Sequence, residues 1–394
     1  VNTDHIELLD GFEHVETVAD FQERLRLSRP LRVKLGIDPT SADLHLGFMV
    51  VLHQLQRFAE AGHRVILIIG DFTARIGDPS GRNVTRPQLS RDEIEANMQT
   101  YRDQAGKVLD LERIEVRYNS EWLDRLNLTD MVKLLAKTTV AQMLERNDFS
   151  QRYQSGAPIA LHEFLYPVAQ AYDSVAIEAD VELGGRDQLF NLLLARHFQR
   201  EFGQPPQICA TVPLLIGLDG EKKMSKSLGN YVGVTEPAAD QFGKLMRIPD
   251  GLIATYARLA AFFSRNECER LGRRLAEGDA DPMLEKKRIA QAIVAQYHGE
   301  PAALAAREFF ERTIQRKEIP SDSIAELQLE DCRRVTEVLV KAGFAESRRA
   351  AERLITGGAV KVDGVAVNDA KAPWTSQAPA VLSVGSRRFV RVIP

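Results

Sequence analysis

The stretch DPTSADLHLGF (38–48) runs from a predicted strand end into a helix and sets His45 and Gly47 on that helix's first turn. A helix start offers unpaired backbone N–H groups and a partial positive charge, which suits phosphate oxygens. Gly47 removes a side chain where a ligand could lie on the backbone. His45 and Thr40 would add donors where negative charge builds in a transition state. A histidine at this place also serves as an ordinary cap or surface residue. Far downstream, EKKMSKSLGN (221–230) carries three lysines and two serines on a loop bracketed by Gly220 and Gly229. Lysine is a mobile point charge fit for closing over a triphosphate, and it is equally at home on a solvated loop.

A third set is helical. In YPVAQAYD (166–173), Tyr166, Gln170 and Asp173 fall at i, i+4 and i+7, so one helix face carries all three. Pro167 fits the first turn of that helix. The same pattern describes a polar stripe on a surface helix.

These residues need a frame. RVKLGID (32–38) and RVILIIGD (64–71) are predicted strands flanking the helical pattern LHLGFMVVLHQLQRFAEAGH, which closes on Gly62. RIEVRYN (113–119), VAIEADV (175–181) and ICATVPLLIGL (208–218) are further predicted strands. Strands alternating with helices imply a doubly wound parallel sheet, whose ligands sit beyond the carboxyl ends of the strands. Asp38, Asp71 and Asp78 fall at or after such ends. From about Glu236 the patterns are helical. EIPSDSIAELQLED (318–331) reads as a linker, two short helices follow, and AVKVDGVAV reads as a hairpin turning on Asp363-Gly364. The expected domains are 1–230, 231–317 (helical) and 331–394, with a linker over 318–330.

At 394 residues the chain exceeds one compact core, and its 44% hydrophobic and 27% charged composition is that of an ordinary soluble protein. No apolar run is long enough to span a membrane, and the acidic N-terminal stretch does not resemble a secretory signal. Cys209, Cys268 and Cys332 are far apart with no CxxC pair, which argues for a reducing, cytoplasmic setting and against a zinc site. The net charge of −4 hides an asymmetry. Residues 331–394 hold 11 Lys and Arg against 6 Asp and Glu, so an acidic body carries a basic tail suited to a polyanion.

HLGF (45–48) and KMSKS (223–227) together resemble the two signatures of the class I aminoacyl-tRNA synthetases, the first usually His-x-Gly-His. GDPSGR (77–82), YPVAQAYD and GGRDQ (184–188) are similar to the bacterial tyrosyl-tRNA synthetases, and the resemblance covers essentially the whole chain. ESRRAAERLITGGAVKVDG (346–364) is similar to a small RNA-binding module shared with a ribosomal small-subunit protein.

The resemblance implies a Rossmann-type catalytic domain, an all-helical domain and a small α+β RNA-binding domain. It implies activation of L-tyrosine by ATP to tyrosyl-adenylate and transfer to the 3′ end of tRNA(Tyr), by a homodimer. It assigns Asp78, Tyr166 and Gln170 to the substrate ammonium and Asp173 to the phenol. Asp38 and Gln188 line the rest of the tyrosine site. His45, Gly47, Gly184, Gly185, Asp187 and Lys226 fall to ATP, with Asp187 on the ribose. Thr40, His45, Lys223, Lys226, Arg82 and Arg86 serve the reacting phosphates and departing pyrophosphate. Mg²⁺ would travel with ATP, since no cluster of acids and histidines builds a dedicated metal cage. Arg348, Arg349, Arg353 and Lys361 would meet RNA. Two positions depart from the pattern. Phe48 replaces a polar residue, and Lys34 stands where one branch has a tyrosine reaching the phenol. An RNA-binding relative without catalysis, and an adenylate-forming ligase for another small acid, are the alternative readings.

Overall fold

Val33–Ile37 and Val65–Ile69 are almost continuous apolar runs, the pattern of strands covered on both faces. In the computed structural model they lie side by side within a six-stranded sheet. The structure describes residues 7–27, 29–39, 43–79, 91–316, 325–329, 332–376, 379–385 and 388–393. The chain divides into two compact units, one through Gly299 and one from Glu300.

The first unit holds β1 (His14–Glu16), β2 (Arg32–Ile37), β3 (Arg64–Ile69), β4 (Ile114–Tyr118), β5 (Val181–Gly185) and β6 (Ile208–Val212). Their spatial order is β1-β6-β5-β2-β3-β4, parallel throughout except for β1, a short antiparallel edge on β6. The chain builds outward from β2 through β3 to β4, then returns to the other side of β2 with β5 and β6. The crevice at such a reversal, beyond the carboxyl ends of β2 and β5, is where an open sheet receives ligands. Asp180 aligns these two strands. Its carboxylate accepts the Arg32 amide at 2.9 Å and guanidinium N–H groups of Arg24 and Arg29 at 2.6–2.8 Å.

Helix α1 (Leu46–Glu60) buries Leu46, Met49, Val50, Leu52, Leu55 and Phe58, the three-and-four spacing of a face laid on a sheet. Helices α2 (Leu165–Ala176) and α3 (Leu189–Glu201) pack through Val168, Ala171, Val175, Leu194 and Phe198. This corrects the strand expected over 175–181. Val175 and Ala176 end α2, and the strand begins only at Val181. The β-branched side chain that suggested a strand is buried between helices instead. Helices Ala238–Leu245, Ile253–Leu259, Arg265–Glu277 and Pro282–His298 complete the unit.

The second unit opens with a helix, Glu300–Phe310, and then builds a sheet in the order β7-β11-β10-β8-β9. Its strands are β7 (Ala325–Gln328), β8 (Val360–Val362), β9 (Val365–Ala366), β10 (Ala380–Val384) and β11 (Arg388–Ile393). Helices α4 (Val335–Lys341) and α5 (Arg348–Thr356) bury Val338, Leu339 and Ile355 against Val360, Leu382 and Val392. The expected hairpin turns on Asp363 and Gly364, both at positive φ (51° and 82°), with Val362 paired to Val365. The stretch expected as a linker carries β7, which pairs in parallel with β11. Among the described residues no helix is long and apolar enough to cross a membrane.

Candidate active site

A cavity of about 380 Å³ opens at the reversal between β2 and β5. Its wall includes Asp38, His45, Gly47, Asp78, Tyr166, Gln170, Asp173, Gly184, Gly185, Asp187, Gln188 and Lys223. Residues from Asp38 to Lys223 therefore line one cavity. Thr40, Arg82 and Arg86 lie outside the described residues.

His45 answers two needs of the α1 start at once. As the N-cap it accepts the Gly47 amide on Nδ1 at 3.2 Å. Burial lowers its pKa to about 4, with Lys226 and Lys223 adding repulsion. The ring is therefore neutral near pH 7 and carries its proton on Nε2, ready to donate. Gly47 leaves the His45 ring room, because a Cβ there would sit 3.0 Å from it and press on the imidazole. Phe48 lines the cavity and packs on His45 with ring centroids 4.8 Å apart. It thus buttresses the imidazole.

One hydrogen-bond network crosses the site from strand to helix. Asp38, at the end of β2, accepts from Tyr166 Oη at 2.9 Å and from Thr73 Oγ1 at 2.7 Å. Gly70 makes that approach possible, since a Cβ there would sit 2.0 Å from Asp38 Oδ1. Asn119 donates to Thr73 at 3.1 Å and to Asp173 at 3.4 Å, and Trp122 Nε1 donates to Asp173 at 2.8 Å. Burial pushes Asp173 up to about 7, against the pull of Lys34, Trp122 and Asn119. Burial, with Asp38 and Asp78 nearby, holds Tyr166 well above the usual phenol range, so it remains a donor.

A second network holds the opposite wall. Gln188 donates to Asp78 at 3.0 Å, Asn191 donates to Gln188 and Gln170, and the buried Arg146 binds Asp78, Asp148 and Asn191. Beneath Gln170, Lys34 pairs with Glu182 at 3.1 Å with both side chains 1% exposed. Lys34 thus lies behind the pocket wall and not on it. Arg146, Asn191, Asn119, Trp122, Thr73, Gly70 and Glu182 all support the site and were not anticipated. Asn119 and Thr73 follow strand ends, which is a positional signal. Arg146 carries none, because the site residues it binds, Asn191 and Asp78, are 45 and 68 residues away.

The lysine-rich loop reaches the same cavity. Leu46 N bonds Val232 O at 3.1 Å and Val234 N bonds Leu44 O at 3.0 Å, so the chain just after the loop is stitched to the start of α1. Asn230 fastens the loop by accepting the Ser225 amide at 2.8 Å and donating to Asp219 at 2.8 Å. Lys223 Nζ lies 2.6 Å from Asp187 Oδ2. Lys226 donates to the carbonyl of Asp43, two residues before His45, and burial lowers its pKa. A neutral imidazole donor and the Lys223 ammonium therefore face the cavity, while Lys226, outside its lining, is tethered to the chain just before α1. Such a set of donors and cations is suited to a polyanion.

In the second unit, Ser347 caps α5 by accepting the Ala350 amide at 3.2 Å, and Arg348 donates to Glu337 at 2.9 Å. Arg349 and Arg353 on this helix, and Lys361 on β8, are exposed and make no salt bridge among the described residues.

Comparison with known proteins accords with this geometry. A family model described as tRNA synthetases class I (W and Y) matches residues 26–315, and an S4 domain model matches residues 333–373. A tyrosine–tRNA ligase of Thermotoga maritima is 49% identical over 94% of this chain and 92% of its own. One from Aquifex aeolicus is 47% identical over 98% of this chain and 97% of its own. A solved tyrosyl-tRNA synthetase from Archaeoglobus fulgidus, complexed with L-tyrosine, shares the fold. Its TM-score is 0.64, at 23% identity over 77% of this chain and 99% of that one.

The cap geometry predicts that the His45 ring stays neutral, protonated on Nε2, from pH 8 down to about 5. Long-range ¹H–¹⁵N correlation spectra check this. An imidazolium signature for His45 at pH 7 contradicts it.

Proposed function

The chain belongs to the class I tRNA synthetases of the W and Y type, and from that membership we propose that it activates L-tyrosine with ATP and transfers the tyrosyl group to tRNA(Tyr). Near-full-length identity of 47–49% to tyrosine–tRNA ligases supports this substrate. The observation that carries the mechanism is one cavity faced both by the α2 stripe and by the stitched HLGF and KMSKS segments.

Tyrosine lies with its ammonium toward Asp78, Tyr166 and Gln170 and its phenol toward Asp173. Asp78 is held for this by Arg146 and Gln188, and Tyr166 is fixed by Asp38. Gly184 and Gly185 leave room for the nucleoside, whose ribose hydroxyls bind Asp187. The tyrosine carboxylate, near Gln188, attacks the α-phosphorus in line, and pyrophosphate departs without a covalent enzyme intermediate. The protein supplies position and charge. His45 Nε2–H, Lys223 and Lys226 meet the phosphates, joined by Thr40, Arg82 and Arg86. Mg²⁺ arrives on the nucleotide.

The tail binds tRNA through Arg348, Arg349, Arg353 and Lys361, four exposed cations on one small helix and the adjoining strand. A homodimer belongs to the same proposal. Leu128, Val132, Val140 and Leu161 are 59–84% exposed, apolar surface that a second copy would cover. A cytoplasmic setting fits three unpaired cysteines.

ATP–pyrophosphate exchange over a panel of amino acids tests the reading, with tyrosine alone expected to support exchange. No tyrosine-dependent exchange would favour a non-catalytic RNA-binding role. Asp173→Ala is expected to lower tyrosine-over-phenylalanine selectivity about 10- to 100-fold, the cost of one lost buried polar contact. Removing residues 331–394 is expected to spare exchange and to weaken tRNA charging increasingly as salt is raised. Normal charging by the shortened chain would count against an RNA role for the tail.

A further inference from the structure

The most deeply buried ion pair beside the site lies under its floor. Lys34 and Glu182 are direct cross-strand partners on β2 and β5, 3.1 Å apart and 1% exposed. Two apolar residues of similar size would hold these strands together at least as well, because burying two charges is costly. What the pair touches points to another use. Glu182 accepts from Gln170 Nε2 and Ser174 Oγ, each at 3.2 Å, and from Gln207 Nε2. Lys34 also donates to the Gln170 carbonyl at 3.3 Å. The pair therefore grips α2 at Gln170 and Ser174, on both sides of Asp173.

We propose that Lys34 is a positioning residue for recognition of the tyrosine side chain: with Glu182 it fixes the face of α2 that carries Asp173 and sets an ammonium group against that helix. The phenol is then selected over a bare phenyl ring by a charged acceptor and not by a neutral acid. This rests on Asp173 being the phenol's partner.

The groups around Asp173 set the expected signs. Lys34 on β2 and Glu182 on β5 hold α2 at residues 170 and 174, Trp122 and Asn119 are neutral donors to Asp173, and Asp38 and Tyr166 connect to it through Thr73 and Asn119. Lys34 lowers the pKa of Asp173 and Glu182 raises it, with the lysine effect the larger. Removing the lysine alone therefore raises the midpoint, removing the glutamate charge alone lowers it, and removing both raises it less than the first change.

Trp122 gives a reporter that needs no substrate, since its indole N–H binds Asp173 and the chain has only 2 tryptophans. In a Trp374→Phe background, Trp122 fluorescence is followed against pH for the parent, K34M, E182Q and the K34M/E182Q pair. K34M is expected to move the midpoint up by about one pH unit. E182Q is expected to move it down, and the double variant should lie between parent and K34M. The double variant leaves neither partner charged and unpaired, so it keeps the test available if K34M folds poorly. Equal midpoints, shifts of K34M and E182Q in the same direction, or no transition in the parent would overturn the proposal. In parallel, tyrosine-over-phenylalanine selectivity in exchange should fall about fivefold in K34M at pH 7 and recover as pH rises. A loss that is the same at every pH would mark Lys34 as merely structural. If the midpoints move as expected while the parent shows no tyrosine-dependent exchange, the functional reading fails and the electrostatic coupling stands. Exchange by the parent with unmoved midpoints would defeat the coupling alone.

Discussion

Two backbone hydrogen bonds between residues 44–46 and 232–234 decide where the chemistry is possible. They bring the start of α1 and the lysine-rich loop to one edge of the cavity, although most of the first unit's sequence lies between them. Electrostatic stabilisation depends on charges held at fixed distances in a poorly hydrated space. The same juxtaposition sets the state of His45, since burial and the two lysines keep its ring uncharged. The histidine thus spends Nδ1 on the helix, and under the proposed function its Nε2–H is the donor offered to a ligand.

The pocket sets many polar groups among apolar side chains, and each buried polar group needs a partner. Asp38, Thr73, Asn119 and Asp173 form one chain of bonds, while Asp78, Gln188, Asn191, Gln170 and Glu182 form another. Each ligand-facing oxygen is therefore held by a neighbour that is itself held. Gly70 shows how tight the fit is, because even one added carbon would collide with Asp38 and Thr73.

What could be read from sequence was whatever local spacing or strand-end position encodes. The face shared by Tyr166, Gln170 and Asp173 follows from helical periodicity, and Asp38 from its place at a strand end. The role of Lys34 was not legible. It requires the register of β2 against β5, which sets residue 34 opposite residue 182. Arg146 was hidden because it reaches Asn191 and Asp78, both far along the chain. Val175 misled because a β-branched residue marks burial as readily as it marks a strand. The strand at Ala325–Gln328 is only four residues long and gains its stability from pairing with β11, a partner far along the chain.

The contact between Lys223 and Asp187 has a kinetic meaning. The ammonium occupies the carboxylate that a sugar's hydroxyls would claim, so the two are rivals for one acceptor. Under the proposed function, arrival of the nucleoside end would evict the lysine into the space beside it, toward the phosphate oxygens. The lysine would then be a placeholder, with base and sugar seated before the triphosphate is grasped.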